Sequence, residues 1–265
     1  MNYRAATDVE IRQDRIKLGN PYAHLGHDGQ MSALKAEVSA PAPLKRYSEN
    51  RIEKIVTEIQ LGLWNDRARL WPHDSVCTPV DILDPQIALQ EQGFSVEGVE
   101  SLGEILENGE LFEVAGLIDP INRVVKIGNR FPLEVRNFTT AHELAHAVLH
   151  VDSLTMHRDR PISGNTPRRL LVEREADLFA SFFLMPQKQV ISEFVARFGP
   201  APLCLNEQSS FNLGIKEPFT NLSKRDLSRI LAKSSFFGYP IESLSKRFKV
   251  STEAMAIRLE QLELC

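Results

Sequence analysis

Asn137-Phe-Thr-Thr-Ala-His-Glu-Leu-Ala-His-Ala-Val-Leu-His150 contains the pattern H-E-x-x-H at positions 142–146. In an α-helix, residues four apart lie about 40° apart around the axis and about 6 Å along it. His142 and His146 therefore share one face and can reach a single metal ion of the Zn²⁺ type. Glu143 follows the first histidine and borders the coordination position that two imidazoles and a third ligand leave open. It is placed as a general base toward a water that the metal makes acidic. Leu144, Ala145, Ala147, Val148 and Leu149 surround these groups with apolar side chains, as in a helix buried in a core. A buried helix carrying two histidines and a glutamate needs compensation for them, and a bound cation supplies it.

A second stretch reinforces the first. Leu171-Val172-Glu173-Arg174-Glu175-Ala176-Asp177-Leu-Phe-Ala-Ser-Phe-Phe-Leu-Met-Pro186 reads as another helix, closed by its proline. Glu173 and Asp177 are again one turn apart. Glu173 can supply the third ligand, and Asp177 can accept a hydrogen bond from the far nitrogen of a ligand histidine. Glu175 competes for the ligand role, although two residues along a helix turn it to roughly the opposite side. Phe179, Ala180, Phe183 and Leu184 read as core residues that pack this helix on the first.

Phe-Thr-Thr-Ala-His-Glu-Leu-Ala-His-Ala-Val-Leu-His at 138–150, followed by Glu-Arg-Glu-Ala-Asp-Leu-Phe-Ala-Ser-Phe-Phe-Leu-Met-Pro at 173–186, resembles the ImmA/IrrE metallopeptidase family. The resemblance implies an α+β, zincin-like domain, with a small antiparallel sheet packed on the active-site helices and a C-terminal helical, helix-turn-helix-like segment. It implies Zn²⁺ held by His142, His146 and Glu173, with Glu143 as catalytic base. It also implies cytoplasmic action on a protein substrate, a helix-turn-helix repressor, whose cleavage derepresses stress or mobile-element genes.

Composition sets wider bounds. The 265 residues suffice for one full domain plus an appendage, and 43 % hydrophobic with 25 % charged residues is an ordinary globular balance. A formal net charge of -4 argues against coating nucleic acid through bulk charge. Cys77, Cys204 and Cys265 are odd in number and widely spaced. They suit a reducing compartment, and none is assigned to the metal. The first residues include Asp8, Glu10, Arg12 and Asp14, unlike a signal peptide, and no apolar run approaches the length of a membrane span.

Three regions are expected along the chain. Residues 1–45, with Pro21, Gly26, Gly29 and Ser39-Ala-Pro-Ala-Pro43, read as a loose or extended segment in which His24 and His27 are loop residues. Residues 46–202 hold the metallopeptidase domain. Ile52, Ile55, Val56, Ile59 and Leu63 repeat at helical spacing, with Asn50 and Glu53 resembling a capping box. Trp64 and Trp71 read as packing residues. A second helix is expected from Pro79-Val-Asp-Ile82 to Gln92, stopped by Gly93 and followed by a strand at 94–97. The runs Leu111–Ile118 and Ile121–Ile127 read as an antiparallel hairpin joined by Asp119-Pro120, one strand of which can pair with an extended substrate. His150 has drifted about 80° around the helix from His142. It reads as a helix-terminal residue or a supporting partner of a ligand rather than a ligand. The basic loop 152–168 offers His157 and Arg158 as candidate stabilisers of a tetrahedral oxyanion.

Residues 203–265 form the third region. Pro240–Ser251 followed by Thr252–Leu262 has the rhythm of a helix-turn-helix. From 223 to 265 there are eight Lys and Arg against five Asp and Glu, a bias of about +3. Docking on the peptidase or its substrate is favoured there over direct DNA binding, which stays open. The rival functions are a non-hydrolytic metal-sensing regulator that binds DNA or a repressor through these helices, and a toxin or phage-defence protease with another target. Two nitrogens and a carboxylate would also accept Mn²⁺ or Co²⁺ in vitro.

Overall fold

The computed structural model describes residues 46–73, 76–107, 110–150, 167–215 and 222–265. Helix α1 (Glu49–Asn65) starts where the Ser48 side chain accepts from the Arg51 amide. The cap is thus Ser48 and not Asn50. Ser48 keeps an extended backbone, as a cap must, whereas Asn50 already lies inside the helix. Ile52, Val56 and Leu63 are buried on one side of α1, with Ile55, Ile59 and Trp64 packed at its margin. Burying each such aliphatic side chain contributes about 1.5–3 kcal/mol.

A single turn, α2 (Arg67–Leu70), leads to Trp71, which packs against the core. The helix expected from Pro79 begins later, as α3 (Pro85–Glu91). Residues 78–82 instead form turns closed by Asp81, whose Oδ2 accepts from the Cys77 and Thr78 amides at 3.0 and 2.7 Å. Asp84 then caps α3, with Pro85 at its first position, where a missing N–H costs nothing. Gly93 ends the segment at φ +81, a conformation that L side chains rarely adopt.

Among the described residues, five short strands follow: β1 (Ser95–Val99), β2 (Glu104–Glu107), β3 (Glu110–Glu113), β4 (Gly116–Asp119) and β5 (Val124–Gly128). The expected antiparallel hairpin is β4–β5, turned by Asp119, whose Oδ1 accepts from the Ile121 and Asn122 amides. β1 adds to the other side of β5 in parallel, so the three-stranded sheet of order β1-β5-β4 is mixed. The run 111–118 is two strands rather than one. Its first part, in β3, pairs with β2. The chain changes partners at Val114 and Ala115, where the Val114 amide donates to Gly103 and the Ala115 carbonyl accepts from Gly128.

Helix α4 (Leu133–Leu149) leaves β5 through Pro132 and packs on the sheet, with β4 at the sheet's edge. Residues Phe138 to His146 of α4 are all buried. Its main partner is α5 (Pro167–Leu184), where Phe179 and Phe183 stack with ring centroids 6.4 Å apart. α1 also packs on α5, and Gln60 Nε2 donates to the carbonyls of Phe182 and Phe183 near that helix's end. Helix α6 (Gln187–Phe198) follows Pro186, with Val190, Phe194 and Phe198 buried. The chain is therefore α+β, as the sequence implies.

The C-terminal helices are α7 (Glu207–Asn212), α8 (Lys224–Lys233), α9 (Leu244–Arg247) and α10 (Thr252–Gln261). Leu231, Leu244, Phe248, Met255 and Leu259 join the same buried cluster as the residues of α1, α4 and α5. Polar ties reinforce this packing. Arg258, buried, donates from Nε to the Met185 carbonyl at 3.0 Å. Arg247 pairs with Asp81 at 2.9 Å, and Asn137 Nδ2 of α4 donates to the Lys249 carbonyl at 3.0 Å. Among the described residues, no helix is long and apolar enough to cross a membrane.

Candidate metal centre

α4 and α5 bring three potential ligands together. His142 and His146 lie one turn apart on α4, and Glu173 faces them from α5, with one ligand atom from each inside a 4.8 Å group. The two Nε2 atoms are 3.0 Å apart. Glu173 places Oε2 3.3 Å from His142 Nε2 and Oε1 3.8 Å from His146 Nε2. Ligands about 2.0–2.1 Å from a tetrahedral ion are separated by about 3.3 Å, so these spacings suit such a site. Two imidazole nitrogens this close cannot both turn lone pairs on each other without a proton or cation between them. The donor set therefore fits a divalent cation of the Zn²⁺ type.

The surrounding charge favours a cation as well. Burial by itself would lower the pKa of His142, but hydrogen bonds and charge from Asp177 and Glu173 outweigh it and push the ring up to about 10. Asp177 Oδ1 lies 2.9 Å from His142 Nδ1, on the ring edge opposite the donor cluster. The carboxylate accepts from that nitrogen and leaves Nε2 for the cluster. Glu143 is 4 % exposed, on the helix that supplies both histidines. A carboxylate is seldom buried to that extent without a task.

His150 caps α4 and is buried. Its Nδ1 is 3.2 Å from His146 Nδ1, and its Nε2 is 3.0 Å from Glu175 Oε2. Burial is the main cause that lowers the His150 pKa, with Glu175 opposing it. Glu175 thus faces His150 and not the three-donor group, as expected from its position two residues after Glu173. Its other oxygen accepts from the Tyr47 amide at 2.8 Å. Tyr47 was not legible as part of the site, because it lies 128 residues from Glu175 and engages through its backbone. His157 and Arg158 lie outside the described residues.

A family model described as the IrrE N-terminal-like domain, peptidase M78, matches residues 103–199. That range runs from the start of β2 to the end of α6 and contains His142, Glu143, His146, Glu173 and Asp177. The radiation response metalloprotease IrrE of Deinococcus radiodurans is 32 % identical over 92 residues, which is 35 % of this chain and 28 % of that protein. The match therefore spans less than a third of the relative's length. Over residues 103–199, which hold the motifs of the candidate site, the chain is thus similar to the IrrE N-terminal-like metallopeptidase domain, and its α+β fold agrees with that likeness.

Proposed function

We propose that the protein is a zinc-dependent endopeptidase that cuts a regulatory protein, with a helix-turn-helix transcriptional repressor as its substrate class. Release of repression at stress or mobile-element genes is the outcome, and the cytoplasm is the setting. The observation that carries the peptidase reading is the buried group His142, His146 and Glu173, with Glu143 beside its first histidine. The radiation-response role in the relative's name supports the stress context.

His142, His146 and Glu173 would hold the ion. When bound, Zn²⁺ supplies a Lewis acid that polarises a peptide carbonyl and makes water acidic at neutral pH. Glu143 takes a proton from water as it adds to the carbonyl carbon, then delivers it to the departing amine. Asp177 accepts from His142 Nδ1 and so fixes which ring nitrogen faces the ion. The edge strand β4, packed beside α4, is the strand that would pair with an extended substrate backbone. His157 and Arg158 remain the proposed oxyanion stabilisers.

The C-terminal arginines support docking over DNA binding. Arg225 and Arg229 pair with Glu253, Arg247 pairs with Asp81, and Arg258 is buried against Met185. Guanidinium groups engaged in this way are poorly placed to neutralise phosphates. The test is N-terminal labelling proteomics of cells producing wild type or Glu143→Gln. New termini in a DNA-binding protein that appear only with wild type support the proposal. A zinc-loaded wild type that generates none overturns it in favour of a regulator that acts by binding.

A further inference from the structure

A chain of hydrogen bonds runs from the start of α1 to the far side of His146. The Tyr47 amide is 2.8 Å from Glu175 Oε1, and Glu175 Oε2 is 3.0 Å from His150 Nε2. His150 Nδ1 is in turn 3.2 Å from His146 Nδ1. His150 and Glu175 are both buried, and α4, α5 and the segment before α1 each contribute one member or more. From these contacts we infer that His150 and Glu175 are positioning residues, forming a relay that sets the tautomer of His146. The inference rests on the metal reading of the three-donor group.

The direction of the relay follows from one end. An ionised carboxylate only accepts, and Glu175 receives the Tyr47 N–H on one oxygen. Its other oxygen must then receive a proton-bearing nitrogen, which makes His150 the Nε2–H form. A neutral His150 of that form carries its lone pair on Nδ1 and accepts from His146. His146 is thereby held with its proton on Nδ1, and its Nε2 lone pair is directed toward His142 Nε2 and Glu173. The reverse order would put the proton on His146 Nε2 and block a metal bond. His142 has a direct carboxylate for the same purpose in Asp177, whereas His146 reaches its carboxylate through a second imidazole.

This makes Glu175→Gln a sharp probe, because the two side chains have nearly the same shape. The Tyr47 N–H requires the amide oxygen at its end, so the amide NH₂ faces His150 and donates. His150 then shifts its proton to Nδ1, and the relay runs backward. A merely structural bond between α4 and α5 would survive that change, since the amide still pairs with His150. His150→Gln is the complementary case. Its oxygen and nitrogen can stand in for the two ring nitrogens, accepting from His146 and donating to Glu175.

The experiment is competition between full-length metal-free protein and a chromophoric chelator for Zn²⁺. It is run on wild type, His150→Phe, His150→Gln, Glu175→Gln and Glu173→Ala, with the Tm of each metal-free protein and the visible spectrum of each Co²⁺ form. The relay predicts about 10–100-fold weaker zinc binding for His150→Phe and Glu175→Gln. It also predicts an altered Co²⁺ spectrum for both, a near-wild-type metal-free Tm for Glu175→Gln, and recovery toward wild type in His150→Gln. Wild-type affinity and spectrum in Glu175→Gln overturn the relay while leaving the metal site standing, whether or not His150→Phe folds. No binding by wild type, or no loss in Glu173→Ala, overturns the metal reading and the relay with it.

Discussion

Asp177 Oδ1 lies 2.9 Å from His142 Nδ1, one helical turn beyond Glu173 on the same helix. One face of α5 therefore carries both the carboxylate beside the donor nitrogens and the carboxylate that orients one of the rings. A single shift or rotation of α5 would disturb both functions together.

Asp177→Ala is expected to weaken zinc binding about 10–100-fold, because His142 loses the acceptor that holds its tautomer. Chelator competition measures it. An affinity equal to wild type would show that Asp177 has no part in orienting His142.

Glu143→Gln is expected to keep zinc within a few-fold of wild type while peptide cleavage falls about 10²–10⁴-fold or more. The amide keeps the shape of the side chain but cannot take the proton. Metal content and cleavage of an identified substrate, measured on one preparation, separate the two effects. Retained cleavage would remove Glu143 from the general-base role.

Phe179→Ala should destabilise the protein by about 3–5 kcal/mol, since Phe179 is fully buried in the core and stacked on Phe183. Urea unfolding of the metal-free protein gives the value. A loss under about 1 kcal/mol would mean that this part of the core collapses around the cavity.

The Asp81–Arg247 pair predicts an acid-sensitive tie to the C-terminal helices. Burial would raise the Asp81 pKa, but hydrogen bonds from Thr78 and Arg247, with the arginine's charge, together hold it below the ordinary 3.8. Because the folded value is the lower one, the stabilisation is complete well above pH 3.8 and is lost as pH falls through the folded value. Asp81→Asn should thus cost about 1 kcal/mol at pH 7, a modest figure for a partly exposed pair. The difference should shrink as the pH drops below about 3.8. Paired urea melts of the two proteins across pH 3–7 check this, and a difference that grows toward acid would contradict it.

Much of the candidate site was visible in residue spacing. Four-residue steps put His142 with His146 and Glu173 with Asp177 on common helix faces, because 3.6 residues per turn leaves little freedom. The same arithmetic turned Glu175 away from Glu173. Helix starts were less legible. Asn50-x-x-Glu53 resembled a capping box, but the cap is Ser48, two residues earlier, which keeps the extended backbone that a cap needs. The strand run 111–118 was divided by a change of hydrogen-bonding partner at Val114, which depends on where Gly103 and Gly128 lie in space.

Periodicity and side-chain chemistry were enough for the two helices and the donor types, since these depend on residues within one or two turns of each other, while the motifs at 138–150 and 173–186 carried the family resemblance. Which groups meet across the fold depends on long-range packing that no local pattern records. That packing set Glu173 against the two histidines and linked Glu175 to both His150 and the Tyr47 amide. It also engaged the C-terminal arginines with carboxylates and a carbonyl far away in sequence. Those pairings follow from how buried apolar faces stack, and buried polar groups then take the partners that packing brings within reach.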